Sequence, residues 1–203
     1  MPPLQIATDS FSRASLGSNW TTGTGSSGGF GIIGSTAVAL TSGTATTFSQ
    51  MYWNANSFNP SQYSQLTISA LGNSIIENVI GPAILVSPSA QTCYFSYQYS
   101  TMLYLEKFLA GVRTVLASMT YTESVGTVFD LQCVVTATTS IALLVNGVVK
   151  LTYTDSSSPI QSGSPGIIGY NYNAVATQFQ GTPWNGGNTV GLSGMLPLLG
   201  CGQ

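Results

Sequence analysis

Histidine is absent from the 203-residue chain, and charged residues make up only 5% of it. The first absence excludes Ser-His-Asp and Cys-His catalysis, His-containing zinc sites and histidine-based pH switches. The second leaves four cations, Arg13, Lys107, Arg113 and Lys150, within a formal net charge of −2. That is too few phosphate-neutralising groups for nucleic acid. The three cysteines, Cys93, Cys133 and Cys201, show no Cys-x-x-Cys spacing, so neither a metal site nor a redox dithiol is expected. Buried free thiols are the default reading of Cys93 and Cys133, with a bridge between them as the alternative. No run of about 18 apolar residues offers a membrane span. The segment Met1–Asp9 has neither a basic n-region nor an apolar h-region, so no secretory signal is read in it.

What the chain does have is 43% hydrophobic residues, with eight Phe, ten Tyr and three Trp, enough burial to offset chain entropy. Runs rich in Val, Ile, Thr, Tyr and Phe recur at the spacing of a sandwich or barrel. Strands are predicted at Gly31–Leu40, Thr44–Trp53, Gln62–Leu71, Pro82–Ser87, Thr92–Ser100, Met102–Leu109, Val112–Thr120, Thr127–Thr136, Ile141–Val145, Val148–Thr154, Gly166–Tyr172 and Ala176–Phe179. Asn146-Gly147 between two such runs predicts a type I′ hairpin turn. Helix signals are poor: one turn at Ser74–Val79, and a helical alternative at Met102–Leu109 that the neighbouring β-rich runs disfavour.

Two glycine motifs carry no chemistry. Gly23-Thr-Gly25-Ser-Ser-Gly28 matches a dinucleotide-binding fingerprint, but a strand start follows it where a helix is required. The overlapping Gly25-Ser-Ser27-Gly-Gly29 matches a nucleophile elbow, but no histidine base exists. Both read as a loop, and no cofactor is expected. Near the N-terminus, Arg13 is placed to clasp Asp9 beside Phe11 and Trp20.

Several segments together resemble the concanavalin A-like jelly roll, specifically its laminin-G-like branch. They are Asp9-Ser-Phe11-Ser-Arg13-Ala-Ser-Leu16-Gly17-Ser-Asn-Trp20, Val128-Phe-Asp-Leu-Gln-Cys-Val-Val135, Leu144-Val-Asn146-Gly147, Asp155-Ser-Ser, Ser162-Gly-Ser-Pro-Gly166-Ile-Ile-Gly169-Tyr and Trp184-Asn-Gly-Gly187. The resemblance covers about residues 7–187. It implies an all-β, antiparallel two-sheet sandwich with little or no helix, one sheet convex and one concave, and glycans often met on the concave side or loops. Domain boundaries follow: a jelly roll over residues 1–187 and an apolar tail over 188–203.

Glycosidases on this fold resemble one another in an E-x-D-x-E strand supplying paired carboxylates. Here Tyr104-Leu-Glu106-Lys-Phe offers one acid, with Glu106 and Lys107 on opposite faces, so no enzyme is expected and a lone Glu106 on a solvated face is the plainer account. An arrangement of Tyr104, Glu106 and Arg113 is the nearest approach to lyase chemistry. Two non-enzymatic readings remain. One is a virion structural module, a capsid decoration or fibre-type protein at the particle surface. The other is a carbohydrate-binding module of a secreted protein. Glycan-binding candidates are Trp53, Asn54, Asn56, Tyr94, Gln98, Tyr104 and Glu106, because sugar sites combine aromatic platforms with amide and carboxylate partners. No calcium cluster is evident. The uncharged tail carries Val190, Leu192, Met195, Leu196, Leu198 and Leu199, an aggregation liability unless it packs back on its own sandwich or is buried on a second copy or a capsid protein.

Overall fold

A computed structural model of the chain describes residues 5–41, 46–71, 79–171 and 179–189. Every regular element among them is a β-strand, and every pairing is antiparallel. The first eight are β1 (Ile6–Asp9), β2 (Trp20–Thr22), β3 (Phe30–Ile33), β4 (Ala37–Leu40), β5 (Thr47–Trp53), β6 (Gln62–Ala70), β7 (Val79–Val86) and β8 (Cys93–Tyr99). The rest are β9 (Met102–Leu109), β10 (Val112–Thr120), β11 (Val128–Val135), β12 (Thr139–Val145), β13 (Val148–Asp155), β14 (Ser164–Asn171) and β15 (Gln180–Asn188). They form two sheets. One runs β13-β12-β11-β6-β15-β4-β3 with β1 beside β15, and the seven-stranded other runs β10-β9-β8-β7-β14-β5-β2.

Side-chain alternation places the core between them. In β6, Ser64, Leu66 and Ile68 are buried, while Tyr63, Gln65 and Thr67 lie on the opposite, half-buried face. Three tryptophans lock the middle: Trp20 meets Trp184 at 4.6 Å and Trp53 at 5.4 Å, and Trp53 stacks on Trp184 at 5.5 Å between ring centres. Each indole N–H finds an acceptor, as a buried indole requires. Trp20 donates to Asp9 Oδ2 (2.7 Å), Trp53 to Asn56 Oδ1 (2.8 Å) and Trp184 to Ser64 Oγ (2.9 Å).

The clasp expected at the N-terminus is present. Arg13 grips Asp9 with two hydrogen bonds of 2.5 and 2.6 Å, and the Phe11 amide donates to the same carboxylate at 2.7 Å. Burial opposes ionisation of Asp9, but the bonds from Arg13, Trp20 and Phe11 outweigh it and hold the carboxyl below its ordinary range. The Asn146-Gly147 turn is also as expected, with φ of 51° and 77° and Val145 paired to Val148.

Two strand expectations change, while the default reading of the cysteines stands. The single strand Gly31–Leu40 is a hairpin, β3 and β4, because Gly34 and Ser35 both take φ of 59° and reverse the chain. Cys93 and Cys133 are free buried thiols, one in each sheet. Burial pushes both thiols up, Cys133 to about 12, so neither is a thiolate at neutral pH. The strand β15 was legible only through the resemblance, since Gly181, Pro183, Gly186 and Gly187 are poor strand formers. Its end extends the sandwich past residue 187: Asn188 N donates to Gln5 O, and Thr189 N to Ser61 O. The helical turn considered at 74–79, most of the strand at 176–179 and the tail from Val190 fall wholly or largely outside the described residues.

Candidate functional site

Strand β9 carries two charges in succession, and the pleat sends them to opposite sides of the seven-stranded sheet. Lys107 points inward with its register partner Tyr94. Its Nζ meets Asp155 Oδ2 of the other sheet at 2.6 Å and Ser158 O at 3.0 Å. Tyr94 donates to the same carboxylate oxygen at 2.7 Å, and the backbone amides of Ser157 and Ser158 donate to Oδ1. Burial disfavours the Asp155 charge, but Lys107, Tyr94 and Ser158 more than compensate and lower its pKa. This cluster ties the sheets together and is closed to ligands: its two charged side chains are 9% and 2% exposed.

Glu106 faces outward and is nonetheless fully buried, contrary to a solvated lone acid. Arg113, on the neighbouring edge strand β10, holds it with Nε–Oε2 at 2.6 Å and Nη2–Oε1 at 2.7 Å. Arg113 Nη2 also donates to the Tyr97 hydroxyl at 2.8 Å, and its guanidinium lies 5.0 Å from the Phe48 ring centre. The planar fork of arginine suits this two-pronged grip. Hydrogen bonding to Glu106 pushes the Arg113 pKa up, and burial pushes the Tyr97 phenol up, so the guanidinium stays charged and the phenol neutral.

Around this pair the same outward face is tyrosine-rich. Phe48, Phe95, Tyr97 and Phe108 form a buried floor of rings at 5.1–6.1 Å from one another where they touch. Above it the half-buried rings of Tyr99, Tyr104 and Tyr170 form walls: Tyr104 stacks on Tyr97 at 5.4 Å, and Tyr170 meets Phe48 at 4.6 Å and Tyr99 at 5.7 Å. Arg113, with its side chain 41% exposed, closes one side. Toward β5 the loop through Gly23 and Thr24 covers the sheet, since Gln50 Nε2 donates to Thr24 O and Ala90 O. The glycine-rich motif therefore serves as cover: a Cβ at Gly23 would stand 2.7 Å from the Gln50 side chain.

Of the expected glycan contacts, the structure brings Tyr104 and Glu106 together here. Tyr94 and Gln98 lie on the inward face, Gln98 accepting the Glu123 amide at 2.6 Å. Trp53 is a core ring, Asn56 is its acceptor, and Asn54 is an exposed residue bonded to Thr21. Sequence reasoning missed Tyr97, Tyr99, Tyr170 and Phe48. Strand parity was the usable signal for the first two, because Tyr97 and Tyr99 pair with Tyr104 and Met102 in β9. Phe48 and Tyr170 required the non-local β5–β14 pairing. Among the described residues no group of three His, Cys, Asp or Glu is placed to hold a metal ion.

No family model matches the chain, and no curated protein matches it in sequence. Solved structures do match its fold. Carbohydrate binding module CBM66 from Bacillus subtilis shares 16% identity at a TM-score of 0.56, with 84% of this chain and 98% of that one covered. The Emp47p carbohydrate recognition domain shares 14% at 0.59, with 92% and 97% covered. A GlcNAcα1-4Gal-releasing endo-β-galactosidase from Clostridium perfringens shares 9% at 0.58, with 94% of this chain but 64% of the enzyme covered. The fold is a concanavalin A-like jelly roll.

Proposed function

We propose that this jelly roll is a non-catalytic glycan-binding module whose site is the tyrosine-walled outer face of the seven-stranded sheet. The observation that carries the reading is the set of half-buried rings, Tyr99, Tyr104 and Tyr170, standing around a charge-neutral Glu106–Arg113 pair. Aromatic faces stack on the C–H faces of sugar rings, and fixed polar groups beside them orient hydroxyls. The fold neighbours whose names specify carbohydrate binding support the same reading.

Binding is favoured over hydrolysis by the state of Glu106. Two-carboxylate chemistry wants a second acid about 5–9.5 Å away, and the remaining described acids, Asp9, Glu123, Asp130 and Asp155, belong to the other sheet, a connecting loop or the interior. Glu106 itself is saturated by Arg113. Screening against neutral and acidic polysaccharides by affinity electrophoresis tests the site: Tyr104→Ala should weaken retardation by about 10-fold, since a tenfold loss corresponds to about 1.4 kcal/mol, the scale of one ring contact. Retardation unaffected by Tyr104→Ala, or steady release of reducing ends that Glu106→Gln abolishes, would overturn it.

The particle-surface setting is a second proposal, supported by the 5% charge content, which lets copies sit close without repulsion. In that setting the apolar segment from residue 190 docks on a second copy or a capsid protein. Deleting residues 190–203 should then leave a folded monomer, and continued assembly of the truncated chain would remove the segment from that role.

A further inference from the structure

The outer face of the other sheet is organised differently from a plain solvated surface. Four strands bring side chains into two adjacent rows: Thr8, Asn185, Gln65 and Asp130 in one, and Ile6, Gly187, Tyr63 and Gln132 in the next. The first row is a hydrogen-bonded ladder. Asn185 Nδ2 donates to Gln65 Oε1 at 3.1 Å, Gln65 Nε2 to Asp130 Oδ2 at 3.4 Å, and Gln132 Nε2 to the same oxygen at 2.9 Å. The Asn185 and Gln65 donors point along the row towards Asp130, and Gln132 donates to it from the next row along β11. The acceptors Asn185 Oδ1 and Gln132 Oε1, on half-buried side chains, receive no hydrogen bond among the described residues, whereas Asp130 Oδ1, also without a partner there, is buried beneath the row.

Beside the ladder lies an aromatic ring. Tyr63 is half-buried beside its register partner Gly187, where a Cβ would stand 2.4 Å from the Gln5 backbone oxygen and 3.0 Å from the Tyr63 Cε1. Any larger residue at 187 would collide with the backbone beside β1 and crowd the ring. Tyr63 thus stands beside a position without a side chain, next to a row that spans about 14 Å at the usual strand spacing. A half-buried ring beside spare amide acceptors is the arrangement that receives a pyranose, ring on ring with hydroxyls donating sideways. Neither row contains a lysine or arginine, and Asp130 adds a negative charge, so an anionic chain is repelled.

We propose that this face is a second glycan-binding surface, built on Tyr63 and the Asn185–Gln65–Asp130–Gln132 ladder and selective for uncharged polysaccharide, on the opposite side of the sandwich from the tyrosine-walled site. The module is then bivalent and can bridge two chains, raising avidity without a second copy.

The test uses the full chain in affinity gels containing mixed-linkage β-glucan, arabinoxylan or galactomannan, with alginate as the anionic control. A Tyr104→Ala variant should still be retarded by at least one neutral polymer and not by alginate. Adding Tyr63→Ala or Gln132→Ala to it should reduce that residual retardation by about 10-fold, whereas Tyr63→Phe, which keeps the ring, should stay within about 3-fold. Thermal midpoints within a few degrees of the parent establish that the variants are folded, and Gln132→Ala decides the matter if Tyr63→Ala is not. Wild-type retardation that Tyr104→Ala abolishes completely would remove the second surface and leave the first. Residual retardation indifferent to both Tyr63→Ala and Gln132→Ala, or no retardation of Tyr104→Ala in any neutral gel, would overturn the proposal equally.

Discussion

On β9, Lys107 points into the sandwich and reaches Asp155, while its neighbour Glu106 points out and is gripped by Arg113. The two ion pairs have the same N–O distance, 2.6 Å, and opposite surroundings. The inner pair is enclosed: Tyr94, Ser157 and Ser158 occupy the remaining positions on Asp155, and Ser158 O accepts a second bond from Lys107. The outer pair buries its acid completely but leaves its cation half in water, with Arg113 Nη1 making no protein hydrogen bond among the described residues. Enclosure makes a pair structural, because both carboxylate oxygens and the ammonium find their partners inside the protein. Incomplete enclosure beside aromatic rings makes a pair available to a ligand.

Breaking the inner pair should have the largest effect. Lys107→Met leaves the Asp155 carboxylate buried without its cation and should cost about 3–5 kcal/mol, read as a lower midpoint in urea. Replacing both partners, Lys107→Met with Asp155→Leu, should recover part of that loss, since well-packed apolar pairs often match a buried ion pair. A single variant as stable as the parent would show that the sheets are not tied there. The outer pair should respond less. Glu106→Gln keeps one acceptor oxygen for Arg113 and loses the other, but water can solvate the guanidinium, so about 1–2 kcal/mol is expected. If Glu106→Gln proves as costly as Lys107→Met, the distinction between closed and open pairs fails.

Acid sharpens the same contrast. Asp155 and Asp9 both have lowered pKa values in the folded state. Their contribution is present above the unfolded carboxyl value of about 4 and is lost as pH falls through the lower folded values. Thermal midpoints should therefore drop below about pH 4, and Lys107→Met should flatten that drop. An unchanged acid profile in the variant would detach Asp155 from it.

The β-sandwich was legible because strands such as β9 and β10 carry their own signal: their predicted bounds, Met102–Leu109 and Val112–Thr120, are the observed ones. Parity along β9 separated Glu106 from Lys107 in advance. What parity does not supply is which face is the interior, and that ambiguity placed Tyr94 and Gln98 among the glycan contacts. Of the tyrosine walls, Tyr99 and Tyr104 share the local β8–β9 hairpin, but Tyr170 on β14, with Phe48 beneath it on β5, reaches them only through long-range pairing that no local pattern encodes. β15 shows the reverse problem. Its glycines look like loop, yet Gly186 admits the Trp184 ring and Gly187 the Gln5 carbonyl and the Tyr63 ring, so close approach dictated them.

The smallest expected effect concerns a carboxylate with no cation at all. Asp130 sits in the polar ladder, where burial raises its pKa and the amides of Gln132 and Gln65 only partly oppose this. A raised folded value means that the folded chain binds the proton more tightly than the unfolded one. Stability therefore falls as pH rises from about 4 through the folded pKa, and the full penalty is carried at neutral pH. Asp130→Asn removes the charge while keeping a carbonyl oxygen for Gln65 and Gln132, so at pH 7 it should raise the thermal midpoint by a few degrees or less. That gap should shrink as pH is lowered to where the parent's Asp130 is itself protonated. Paired melts from pH 4 to pH 8 check this directly: a gap that does not change with pH, or a parent more stable than the variant at pH 7, would mean that the ladder solvates Asp130 as well as a cation would. In that case the ladder would have the closed character of the Lys107–Asp155 pair, and its spare acceptors would not be spare.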